Sequence, residues 1–87
     1  MPNKYAQIAQ AELDLHQMTR LEADDAVRVF LETSRQAGHD LVRIITGKGL
    51  HSQAGPVLSE AVRAYLDKHG YEYKKAKLND GALEVRL

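Results

Sequence analysis

Leu41-Val42-Arg43-Ile44-Ile45 is an apolar run interrupted only by Arg43, and it leads into Thr46-Gly47-Lys48-Gly49-Leu50-His51-Ser52. Gly55-Pro56 then opens a stretch with helical spacing. The order strand, glycine-rich loop, helix leaves few ways to fold. Backbone N–H groups released from strand pairing and the N-terminus of the following helix both face the loop, which suits an anion. Gly47 and Gly49 let the backbone turn sharply and approach a ligand closely, and Lys48 adds a point charge that suits phosphate. A short glycine motif of this kind is also compatible with a plain tight turn. The G-x-x-x-x-G-K-[ST] spacing is absent, and Ser52 stands where a G-x-G-x-x-G motif needs its third glycine, so neither nucleotide fingerprint is present.

The flanking segments complete the pattern. Residues 1–10 show no period and read as a tail or linker, with Tyr5 and Ile8 resting on the domain. Ala11-Glu12-Leu13-Asp14-Leu15-His16 alternates as a half-buried strand does, placing Leu13 and Leu15 toward the core and Asp14 and His16 on the opposite face. Thr19-Arg20-Leu21-Glu22 fits a capping box, and Ala23, Val27, Phe30, Leu31 and Ser34/Ala37 trace one helical face up to a stop at Gly38. Thirty residues separate His16 from Thr46, the size of a βαβ crossover, so the first two strands should be parallel neighbours. Pro56 suits a first helical turn, Val57, Leu58, Ala61, Val62, Tyr65 and Leu66 form a stripe, and Gly70 ends it. Tyr71-Glu72-Tyr73-Lys74 begins a third strand, Asn79-Asp80-Gly81 signals a turn, and Ala82–Leu87 alternates as a fourth strand. The expected fold is an α/β two-layer sandwich, β-α-β-α-β-β, with one mixed four-stranded sheet and both helices on one face.

Bulk properties narrow the class. Eighty-seven residues make one domain, and 44% hydrophobic with 28% charged residues is a globular composition. With no cysteine there is no disulfide framework and no thiolate metal site. No apolar run approaches the ~20 residues that span a bilayer, and the first residues lack a hydrophobic signal core, so a cytoplasmic protein with no membrane association is expected. Net charge is zero, which argues against strong nonspecific nucleic-acid binding. The charge is uneven, however: Glu12 to Glu32 holds six acidic and two basic residues, and Arg63 to Lys77 five basic and two acidic.

Parallel first and second strands end on one sheet edge, which brings Asp14, His16, Lys48 and His51 to one rim. Ligands of open α/β sheets prefer that location. An imidazole titrates near neutral pH and serves as base or acid, Asp14 would orient His16, and Lys48 with the loop amides would stabilise a phosphorane. A plain binding rim is the competing reading. A zinc site from His16, His39, His51 and His69 is disfavoured, because His39 falls at the far edge and no H-x₃-H pair exists. No cofactor and no metal ligand set is expected.

Leu13-Asp14-Leu15-His16, Glu22-Ala23, Thr46-Gly47-Lys48-Gly49 and Gly81-Ala82-Leu83-Glu84-Val85 together resemble the Smr (small MutS-related) domain over residues 11–87. That resemblance implies a sandwich similar to the C-terminal domain of bacterial translation initiation factor 3. It also implies nucleic-acid binding, DNA or RNA, and in several members endonuclease activity, including cleavage of messenger RNA on stalled ribosomes. Carried over, Asp14 and His16 match the L-D-x-H pair associated with cleavage, to which His51 is added as a second acid–base group. Gly47, Lys48 and Gly49 match the loop associated with substrate phosphate, and His51-Ser52 extends it in the manner of some members; Thr46 and Ser52 are expected to bind nucleic acid with it. Gln17 stands where the family usually has glycine, which would narrow the site if that glycine serves close approach. Two functions are therefore expected in competition. One is an endonuclease favouring RNA. The other is a noncatalytic module that recruits a larger MutS-related protein to nucleic acid or the ribosome, and the near-neutral charge suits a domain within such a larger protein.

Overall fold

The computed structural model describes residues 8–47, 55–76 and 79–87. Six elements follow in order: β1 (Ala11–Asp14), α1 (Arg20–Gln36), β2 (Leu41–Ile45), α2 (Gly55–Lys68), β3 (Glu72–Ala76) and β4 (Asn79–Arg86). The sheet order is β1-β2-β4-β3. β1 and β2 are parallel, with Leu13 opposite Ile44, and β4 runs antiparallel to both β2 and β3. This is the mixed sheet and element order expected from the sequence.

Alternation sorts the two sheet faces. Val42, Ile44, Leu83 and Val85 point to one side, where they meet Ala23, Val27 and Leu31 of α1 and Leu58, Val62 and Leu66 of α2 in a single cluster. Leu31, Leu58 and Leu66 are fully buried; each such side chain contributes roughly 1.5–3 kcal/mol relative to exposure. The other sheet face carries a row of charges across all four strands, Glu12, Arg43, Glu84 and Lys74, in register. Arg43 bridges Glu12 at 3.3 Å and Glu84 at 3.1 Å.

The helix boundaries have local causes. Thr19 caps α1: its hydroxyl accepts from the Glu22 N–H at 3.2 Å, and the Glu22 carboxylate accepts from the Thr19 N–H at 2.9 Å. At the other end Gly38, at φ +79°, closes a Schellman motif in which the Gly38 N–H donates to the Arg35 carbonyl and the His39 N–H to the Ser34 carbonyl, each at 3.0 Å. α2 ends the same way, with Tyr71 N–H donating to the Leu66 carbonyl at 2.9 Å.

Five details differ from the sequence expectation. Ile8 is 79% exposed and does not rest on the domain, while Tyr5 lies outside the described residues. β1 stops at Asp14 instead of His16, because the Asp14 carboxylate captures the His16 N–H and bends the chain; β2 likewise ends at Ile45, one residue before Thr46. Ala37 is the exposed C-cap of α1, not part of its buried stripe, since the stripe ends at Ser34. Asn79-Asp80-Gly81 belongs to β4 and not to a turn. Asn79 pairs with Ala76 while Lys75 pairs with Leu83, so β4 carries a large bulge over residues 80–82.

Candidate functional site

β4 is antiparallel to both of its neighbours, so β1, β2 and β3 all run the same way. Their C-terminal ends share one edge of the sheet, and the N-terminus of α1 returns to that edge through the short link 15–19. Asp14 ends β1 there, opposite Ile45.

Beyond Asp14 the chain folds over itself. Leu15 stays in the core and still donates its N–H to the Ile45 carbonyl at 2.8 Å. The Met18 N–H returns to the Leu15 carbonyl at 2.9 Å, closing a turn over His16 and Gln17. Asp14 Oδ1 accepts the His16 backbone N–H at 3.0 Å and contacts His16 Nδ1 at 2.7 Å. Both side chains are about half exposed. The carboxyl of Asp14 is held below its ordinary range, first by the His16 backbone N–H and then by the His16 ring. An ionised carboxylate so close to Nδ1 requires the ring proton to sit on Nδ1. Nε2 is then the nitrogen left to exchange a proton with a ligand.

The glycine-rich loop starts against this pair. Thr46 is buried, and its N–H and hydroxyl both donate to the Gly81 carbonyl, at 2.7 and 3.2 Å. The Gly47 N–H donates to the same oxygen at 3.0 Å. Gly47 has φ +91°, and a Cβ placed on it would lie 3.8 Å from His16 Cβ. Asp14, His16 and Gly47 are therefore brought together at the edge, with Thr46 holding the loop's origin to β4. Lys48, Gly49, His51 and Ser52 lie outside the described residues.

The other two histidines stand apart. His39 lies between α1 and β2, at the N-terminal end of the strands. His69 follows α2 and stacks on Tyr65 with ring centroids 4.3 Å apart. Gly81 was not among the expected site residues, yet its carbonyl anchors Thr46 and Gly47. A glycine beside an alternating strand run is the signal for a bulge or a close backbone approach, and here it marks both. Gln17 is exposed and, like every described residue other than glycine, has no positive φ. The turn therefore needs no glycine at that position.

The comparisons agree with this architecture. The Smr domain family model matches residues 13–87. The Smr domain of Thermus thermophilus MutS2 is similar at a TM-score of 0.78 and 28% identity, covering 88% of this chain and 96% of that one. The Smr domain of NEDD4-binding protein 2 gives 0.73 and 33%, covering 94% and 90%. An uncharacterized protein of Treponema pallidum (strain Nichols) is 40% identical over 62 residues, which is 71% of this chain and 31% of that protein's length. The paired L-D-x-H and T-G-x-G stretches thus occur within a match that runs from β1 to the last residue, and the chain belongs to the Smr domain family.

Proposed function

We propose that this Smr domain binds nucleic acid and cleaves its phosphodiester backbone, RNA in preference to DNA. The observation that carries the proposal is the 2.7 Å contact between Asp14 and His16 Nδ1, set against the start of the glycine-rich loop. In the proposed reaction His16 Nε2 takes the proton of a ribose 2′-hydroxyl. The 2′-oxygen attacks the adjacent phosphorus, the P–O5′ bond breaks, and the 5′-oxygen leaves with a proton from an acid, a role assigned to His51. The products are a 2′,3′-cyclic phosphate and a 5′-hydroxyl. Asp14 keeps the Nδ1 proton in place and stabilises the imidazolium formed in the first step. The amides of Lys48 and Gly49, the Lys48 ammonium and the Ser52 hydroxyl are assigned to the phosphate oxygens, Gly47, whose own N–H is held by the Gly81 carbonyl, to the close approach of the loop, and Thr46 to holding that loop in position. DNA lacks the 2′-hydroxyl and would not react by this route.

Zero net charge over the chain suits a module whose affinity is supplemented by a larger protein or a ribosomal partner. The test is cleavage of a labelled single-stranded RNA in EDTA, beside His16→Ala. Cleavage that the variant loses, with cyclic-phosphate ends, is the expected result. RNA that is shifted in a gel but never cut would replace the nuclease with the recruitment module. Cleavage of DNA that needs a divalent metal would move Asp14 from orienting His16 to ligating the ion.

A further inference from the structure

α1 contains three arginines, and two of them have evident electrostatic partners. Arg28 pairs with Asp25 at 2.6 Å and Glu32 at 3.8 Å. Arg35 lies in the last turn, where the helix dipole favours a cation. Arg20 is different. It is the first residue after the Thr19 cap, so its charge faces the positive end of the dipole. It is exposed and takes part in none of the ion pairs among the described residues; Asp24, one turn on, does not bridge to it. Glu22, the acidic residue of this first turn, is occupied with the Thr19 N–H. The cap is satisfied within itself, and beside the exposed Leu21, Asp24 and Asp25 this end of the helix presents the Arg20 guanidinium to solvent.

Its place in the fold gives that charge a use. Only the turn over His16 and Gln17 and the cap separate Arg20 from the Asp14–His16 pair, and α1 begins at the edge where β1, β2 and β3 end. We infer that Arg20 contacts a phosphate of the bound strand next to the one at His16. This rests on the nucleic-acid function proposed above and adds a contact outside the glycine-rich loop. A guanidinium suits the role because its donors form a planar fork that matches a phosphate's oxygens.

The consequence is unusual in sign: removing this charge should stabilise the fold while weakening binding. Arg20→Gln keeps length and helix propensity nearly constant, so the charge is what changes. The probe is a fluorescein-labelled single-stranded RNA, titrated in a His16→Ala background so that no cleavage occurs, at several salt concentrations. One phosphate contact contributes about 0.7 to the logarithmic salt slope of a single strand, which at 0.1 M salt is ~5-fold in affinity. Arg20→Gln should therefore bind ~5-fold more weakly with a salt slope smaller by about 0.7, while its melting temperature rises by ~1–8 °C. Unchanged affinity beside a binding parent overturns the Arg20 contact and leaves the nucleic-acid function standing. Weaker binding together with a lower melting temperature assigns Arg20 to the fold and overturns the contact as well. A parent that binds neither RNA nor DNA overturns the proposed function itself, and Arg20 with it.

Discussion

Gly47→Ala tests the backbone on which the site depends. Gly47 sits at φ +91°, and an added Cβ would meet His16 Cβ at 3.8 Å, an ordinary van der Waals contact. The substitution therefore introduces strain without a clash. Holding a non-glycine residue in a sparsely populated positive-φ region costs about 1–3 kcal/mol. The less flexible unfolded chain returns about 0.4–1 kcal/mol. The net loss is about 1–2 kcal/mol, which for a chain of 87 residues is a fall of roughly 4–16 °C in melting temperature. Gly38 supplies the comparison, because it sits at φ +79° with nothing within 4 Å of the added Cβ. Gly38→Ala should cost about the same.

The two variants should part company in function. Gly38 closes α1 at the opposite edge from Asp14 and His16, so under the proposed function Gly38→Ala should match the parent in RNA binding and cleavage at a temperature where both are folded. Gly47→Ala should lose most of its RNA binding while the Asp14–His16 contact survives, seen as an unchanged downfield Nδ1 proton resonance. Thermal denaturation followed by circular dichroism, with RNA titration at 20 °C, measures all of this. If Gly47→Ala melted with the parent, positive φ at that residue would be refuted. If it lost several kcal/mol more than Gly38→Ala, the space beside His16 would be tighter than 3.8 Å implies.

Further outcomes follow from the same contacts. Thr46→Val removes the hydroxyl bond to the Gly81 carbonyl but leaves that oxygen two N–H donors, so urea denaturation should show a loss of only about 1 kcal/mol. Thr19→Ala removes the acceptor for the Glu22 N–H and should cost about 1 kcal/mol by the same measurement. Leu66→Ala empties a fully buried position beneath α2 and should cost about 2–5 kcal/mol, enough to collapse the melting transition of a small domain. The Asp14 carboxyl is depressed by the His16 N–H and ring, so its stabilising contribution is fully present above its ordinary value of 3.8 and is lost as pH falls through the lower folded value. The stability difference between the parent and Asp14→Asn should therefore shrink as pH falls below about 4; a difference that vanished near pH 6 would contradict the bond.

Much of the fold can be read from local chemistry. The Thr19-x-x-Glu22 box and the glycines at 38 and 70 fix helix ends through hydrogen bonds within a few residues, and such signals survive tertiary context. Strand order is less local, because β3 and β4 both alternate and either could have met β2. The exposed Glu72, Lys74 and Lys75 of β3, against the buried Ala82, Leu83 and Val85 of β4, show the physical choice. Adjacent lysines suit an edge that must not pair further, and the apolar strand goes inside. The Asn79-Asp80-Gly81 signal misleads for a related reason. Those residues have turn chemistry, but the Gly81 carbonyl is claimed by Thr46 and Gly47, so their irregularity is spent on a bulge inside the strand.

The site itself shows the limit of a face-by-face reading. Asp14 and His16 are two apart on one strand face, and a continuing strand would hold their Cα atoms ~6.6 Å apart with side chains standing parallel. No imidazole–carboxylate hydrogen bond follows from that geometry. The 2.7 Å contact exists because β1 ends at Asp14, whose carboxylate takes the His16 N–H and turns the next residue back toward itself. The early end of the strand and the pairing of the site residues are one event. It also bears on Gln17, which stands where the family's glycine would: the turn is set by Asp14 and by the Met18 N–H to the Leu15 carbonyl, with no positive φ at Gln17. Any effect of Gln17 on activity must therefore come from its exposed side chain and not from a strained backbone, and Gln17→Gly should leave the Asp14–His16 bond as it is.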